Sequence, residues 1–149
     1  MIGMFRFGLS LVATLAMGAV GCGHACNAIG CLDGLVLAFD GLVAGTTYQV
    51  TVSQVTATPE TIPVATCTAV VAANGSPQLS CSSERPHTES SNTLQFHDTE
   101  LTKLVITVSS NGMTLVNQAA DVSYTSSEIN GPGCGVCTQA SVSVTVPMT

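Results

Sequence analysis

The chain has 149 residues, of which 8% are charged and 46% hydrophobic, with seven cysteines and a formal net charge of -6. Three Lys and Arg residues cannot neutralise a run of phosphates, which argues against a nucleic-acid-binding surface. Four Phe, two Tyr and no Trp leave little for a stacking platform, and apolar content with so little charge argues against disorder.

The first element in chain order is a leader. Arg6 and the amino group give a basic start, Phe7 to Met17 form an apolar stretch, and Gly18-Ala19-Val20-Gly21 shrinks to small residues before Cys22. That order describes an export signal. A membrane-spanning helix needs about 20 apolar residues, and Arg6 cuts this run short. Ala19-Val20-Gly21-Cys22 resembles the bacterial lipobox, whose cysteine is acylated and becomes the mature N-terminus; Ala19 stands where that family usually has Leu. Ala19-x-Gly21 also suits an ordinary signal peptidase. The lipobox resemblance implies a signal peptide over 1–21, a palmitate-type acyl anchor on Cys22 and attachment to a membrane. Gly23 in place of Asp resembles the sorting pattern for outer-membrane retention in a Gram-negative host.

Residues 22–34 read as an anchor and N-terminal cysteine segment containing His24, Cys26 and Cys31, and 35–149 as one β-domain. From residue 35 the apolar period is two. Leu35, Leu37 and Phe39 alternate, followed by Tyr48, Val50 and Val52, then Ala65, Cys67, Ala69 and Val71. Leu94 and Phe96 come next, then Leu104, Ile106 and Val108, then Val122 and Tyr124, and finally Ala140, Val142, Val144 and Val146. Alternation with Thr, Ser and Gln between marks half-buried strands, and the β-branched residues suit a pleated surface. No amphipathic helix is discernible beyond the leader. Asp33-Gly34, Asp40-Gly41 and Ala44-Gly45 mark turns, and Pro59 and Pro63 bracket a further break. Asn111-Gly112 is a two-residue hairpin signal, because both residues accept positive φ. The expected fold is all-β: a disulfide-stapled antiparallel β-sandwich of immunoglobulin-like architecture with about seven to nine strands, a closed barrel being the alternative. A core Trp, the mark of true immunoglobulin domains, is missing.

Export makes disulfides the first reading of the cysteines. Seven is an odd number; a lipid on Cys22 leaves Cys26, Cys31, Cys67, Cys81, Cys134 and Cys137 for three bridges. Cys67 and Cys81 flank an Asn74-Gly75-Ser76-Pro77 turn, so a local cross-strand bridge is expected. Cys26 and Cys31 pair either within their cluster or with Cys134 and Cys137. Four thiolates from these two clusters could instead hold zinc. Cys134-Gly135-Val136-Cys137 also has the spacing of thiol–disulfide oxidoreductases, but a strand-like run follows it where that chemistry uses a helix N-terminus.

Two loops are candidates for binding: Ser82–Asn92, with Glu84, Arg85, His87 and Glu89, and Ser126–Cys137. His97 lies beside Asp98 and Glu100, but strand alternation would send His97 away from Asp98. Asp33, Asp40 and Asp121 could bind calcium only if the fold gathered them. No nucleophile elbow, zinc-protease helix, phosphate loop or calcium loop occurs, so neither a catalytic residue nor a cofactor is assigned.

Cys26-x4-Cys31-x-Asp33-Gly34, Ala44-Gly45-Thr46-Thr47-Tyr48-Gln49-Val50-Thr51-Val52, Tyr124-Thr125-Ser126-Ser127 and Asn130-Gly131-Pro132-Gly133-Cys134 resemble small cysteine-containing bacterial lipoproteins. That resemblance implies an envelope location, disulfides and a sandwich, with no reaction or ligand. The expectation is a lipid-anchored, non-catalytic structural or binding module with an envelope or surface partner; the alternative is a periplasmic redox protein using Cys134 and Cys137. Cleavage before Cys22 would leave 128 residues (149 less the first 21), with two basic and nine acidic side chains.

Overall fold

Most of the period-two alternation becomes strands in the computed structural model, which describes residues 33–58, 60–128 and 135–148. No helix occurs among the described residues. Their ten strands are β1 (Gly34–Asp40), β2 (Thr47–Val55), β3 (Thr61–Val71), β4 (Pro77–Ser82), β5 (His87–Ser90), β6 (Thr93–Phe96), β7 (Lys103–Ser110), β8 (Met113–Asp121), β9 (Thr125–Ser127) and β10 (Cys137–Thr145). They form two five-stranded sheets, ordered β5-β6-β1-β10-β9 and β4-β3-β2-β7-β8. Two separate sheets facing one another make a sandwich, not a closed barrel.

Each sheet turns its apolar set inward. Leu35, Leu37 and Phe39 of β1 face Val50 and Val52 of β2 and Ile106 and Val108 of β7 across the core, all at most 2% exposed. Register keeps these residues in rows: Val50 lies between Cys67 and Val108, and Val52 between Ala65 and Ile106. Slipping any strand by one residue would turn its apolar set outward, so burial specifies the pairing. Leu79 of β4 and Leu101 also join the core, Leu101 from an irregular segment between β6 and β7.

The expected antiparallel sandwich forms, with one parallel pair, β1 and β10, running from Gly34↔Gln139 to Asp40↔Thr145. Several finer expectations need correction. Ser82–Asn92 is not a plain loop, because His87–Ser90 pairs with β6 as an edge strand. Ser126–Cys137 likewise has strand residues at both ends, Ser127 pairing with Cys137. These short polar edges raise the strand total above the expected range. Val122 and Tyr124 lie outside any strand, although Val122 is buried and its N–H donates to the Thr102 carbonyl. Pro63 lies within β3 and does not end it. Pairing with β4 begins only at Thr66, and the β2–β3 register shifts at Ser53, opposite Pro63, so its missing donor falls at an unpaired edge beside a bulge.

The Asn111-Gly112 hairpin forms as expected. Ser110 pairs with Met113, and Asn111 and Gly112 take φ of 49° and 76°, the positive pair that matches strand twist. Cys67 and Cys81 stand directly opposite in register and are disulfide-bonded, with Cα atoms 4.0 Å apart. Their 14-residue separation gives a bridge worth about 3 kcal/mol in the chain-entropy account.

The strands define two ends. At one, here the base, the chain enters at Asp33, and the connections 56–60, 83–86, 97–102 and 122–124 gather. At the other, the tip, lie 41–46, 72–76, 91–92 and 111–112. Hydrogen bonds fasten each: Gly45 N–H to Val71 O and Phe39 N–H to Asn92 O at the tip, His97 N–H to Pro86 O at the base. Gly34 starts β1 at the base with φ 122°, and a Cβ there would lie 1.8 Å from the Phe96 carbonyl oxygen.

Two stability predictions follow from this geometry. Gly34→Ala should cost about 2–4 kcal/mol by equilibrium denaturation, since both backbone and space oppose it; an unchanged midpoint would refute the close packing against Phe96. The double variant Cys67→Ala/Cys81→Ala should lose about 2–4 kcal/mol and remain all-β by circular dichroism.

Candidate functional site

The base holds the densest set of polar side chains. Ser83 begins it: its hydroxyl donates to the Val64 carbonyl (2.6 Å) and accepts the Arg85 N–H (3.1 Å), fixing the chain as it leaves β4. This turn aims the Arg85 guanidinium across the base. Nη1 donates to Asp98 Oδ2 at 2.9 Å and to Glu100 Oε2 at 3.4 Å, and Nη2 donates to Gln54 Oε1 at 3.3 Å. Asp98 also accepts the Glu100 N–H at 3.2 Å. Arg85 thereby ties the end of β2 to two connections, the β4–β5 link and the segment after β6.

Electrostatics follow from that placement. The Asp98 hydrogen bond is the foremost cause holding the Arg85 pKa above its ordinary value, against partial desolvation. Burial raises the Tyr124 pKa, with the Asp98 charge adding to it and Arg85 opposing it. Tyr124 donates its hydroxyl to the Leu101 carbonyl at 3.1 Å, so an irregular stretch without ladder partners is still anchored.

His87 and Glu89 form a second link, along the seam between the sheets. The His87 Nδ1 is 2.9 Å from the Arg85 carbonyl and its Nε2 is 3.4 Å from Glu89 Oε1. Glu89 Oε1 also accepts the Cys81 N–H at 2.6 Å, joining edge strand β5 of one sheet to edge strand β4 of the other. Both edges are thus partly satisfied by side chains in place of a ladder.

Beside Arg85 an open cleft of about 390 Å³ lies between the start of β3 and residues 82–85, with Gln54, Ile62 and Thr66 in its walls. The Arg85 charge is already met by two carboxylates, so the cleft presents no bare cation to an anion. Ser83 and His87 are engaged in the contacts above and share no hydrogen bond with one another. The arrangement does clamp loops; it does not assemble a nucleophile with a base.

The residues singled out in sequence are placed as follows. His97 sits just beyond β6, where its backbone N–H holds Pro86; Asp98 turns to Arg85, so the carboxylate serves the guanidinium and not the imidazole. Asp33 Oδ1 accepts the Thr138 N–H at 2.7 Å, Asp40 ends β1 near the tip, and Asp121 lies opposite Lys103. These three aspartates are not gathered, and no group of three or more His, Cys, Asp or Glu suited to a metal occurs among the described residues. Cys137 is disulfide-bonded and buried at the start of β10. Cys22, His24, Cys26, Cys31 and Cys134 lie outside the described residues. No helix among the described residues is long and apolar enough to cross a membrane. The Arg85 partners were missed in sequence because Asp98 and Gln54 are 13 and 31 residues away. No family model, curated protein or solved structure matches the chain.

The raised Tyr124 pKa gives a signed pH prediction. An unfolded Tyr ionises near 10.0 and the folded one later, so the folded state holds more protons above that pH and stability falls as pH rises. Denaturant midpoints of the native chain should decline above about pH 10 more steeply than those of Tyr124→Phe. Parallel curves would show that Tyr124 does not carry the alkaline loss.

Proposed function

We propose that this chain is a lipid-anchored, non-catalytic structural or binding module of the cell envelope, tethered through Cys22. The observation that carries the reading is the apolar leader closing on Ala19-Val20-Gly21-Cys22, whose last residue is the lipobox cysteine. Two further features support it. The Cys67–Cys81 bridge and the disulfide-bonded Cys137 suit an oxidising compartment. The chain also reaches the sandwich at the base, so residues 23–33 would form a tether of at most about 40 Å between lipid and domain. A lipoprotein's several acyl chains hold a membrane firmly where a single chain binds marginally. Gly23 favours outer-membrane retention in a Gram-negative host.

A periplasmic thiol–disulfide protein using Cys134 and Cys137 is the rival reading, and their C-x-x-C spacing is its support. Cys137 opens a strand, however, and a strand lacks the aligned N–H groups by which a helix N-terminus lowers a thiol pKa.

Mass spectrometry of the chain from the membrane fraction should find Cys22 at the mature N-terminus carrying acyl groups. An unacylated chain in the soluble fraction would overturn the anchor. Insulin reduction that depends on Cys137 would support the redox rival.

A further inference from the structure

Charge is confined almost wholly to one end of the sandwich. Asp, Glu, Lys and Arg number eleven among the described residues, and only Asp40 and Glu89 lie away from the base and the strand ends adjoining it. The tip loops 41–46, 72–76, 91–92 and 111–112 carry no charged residue. Apolar side chains stand exposed there instead: Val43 is 42% exposed and Met113 is 64% exposed. Between them lies an uncharged hollow of about 190 Å³, walled by Tyr48, Ser110 and Leu115 and rimmed by Val43 and Met113. Its shape is held from within. The Val43 N–H donates to the Tyr48 hydroxyl at 3.0 Å, and Ser110 donates to the Thr47 carbonyl at 2.9 Å.

We infer that the tip is a self-association surface, where two copies meet end to end about a two-fold axis and Met113 of each seats in the hollow of the other. The occupant follows from three features. A flexible thioether knob stands beside an uncharged hollow on the same face, and a two-fold contact requires such self-complementarity. A chain of net charge -6 repels its own copy wherever its acids are opposed, and of its acids among the described residues only Asp40 lies near the tip. Strands of eight or nine residues put the two acidic bases about 50–60 Å apart in this arrangement, several times the Debye length of about 8 Å. The tip face measures about 500 Å² per copy from strand and sheet spacings, at the low end for specific contacts, so the pair is reversible. The inference stands independently of the lipid on Cys22.

Sedimentation equilibrium of the exported Cys22→Ser chain, so that no lipid contributes, tests it. A monomer–dimer equilibrium with Kd of about 10–100 μM is expected. Met113→Glu and Val43→Glu should each weaken it at least about tenfold, with unchanged thermal melting, because each sets like charges face to face. Ile62→Glu, at an exposed position on the base, should leave it intact. A native chain that stays monomeric overturns the inference, as does undiminished pairing in both tip variants or equal weakening by Ile62→Glu. A monomer that floats with neutral phosphatidylcholine vesicles through Met113 also overturns it, assigning the tip to lipid.

Discussion

The fold depends on seating its first strand inside a sheet. β1 pairs with β6 on one side and β10 on the other, and its Leu35 and Leu37 are fully buried. Backbone groups on both edges of β1 are therefore used, and the core facing β2 and β7 is incomplete without it. The parallel β1–β10 ladder joins residues about a hundred apart, the strand pairing among the described residues that costs most in loop entropy. Closing it joins the first and last of the described strands, a non-local pairing that must wait for much of the chain to be in place.

Around that ladder the molecule solves its edges in different ways. β4 and β5 are stitched across the seam by Glu89, and a side-chain bond from Gln118 of β8 to the Ser143 carbonyl does similar service on the opposite flank. β9 is only three residues long, and β8 meets its neighbour with a shifted register near Ser109. Short strands, bulges and side-chain caps each discourage growth of the sheets by lateral addition. The tip stands out because no comparable device among the described residues covers Val43 and Met113.

Most of the core was legible because burial on a pleated strand leaves a two-residue period. Leu35, Val50, Ala69, Leu104 and Val144 all face inward as their alternation implies. Cys67 and Cys81 were legible as a pair because one short turn separates them. Other features have no local trace. His-Thr-Glu-Ser of β5 and Thr-Ser-Ser of β9 lack an apolar alternation, and pairing with a neighbour alone makes them strands. Leu101 is a single apolar residue beside Glu100, buried by what arrives from elsewhere in the chain. The Arg85 clamp joins two connections to the end of β2, and its geometry exists only after both sheets have been paired.

The position of Asp33 bears on how the domain would resist force. A pull between this residue and the tip runs along the axis of β1, so its hydrogen bonds to β6 and β10 share the load in shear. Seven paired positions on the β10 side, from Gly34 to Asp40, must then yield together instead of peeling one after another. The arrangement resembles a tongue gripped between two rails. A tether at that point would pull on a strand paired along both edges, and a load at the opposite end would reach it through the same strand.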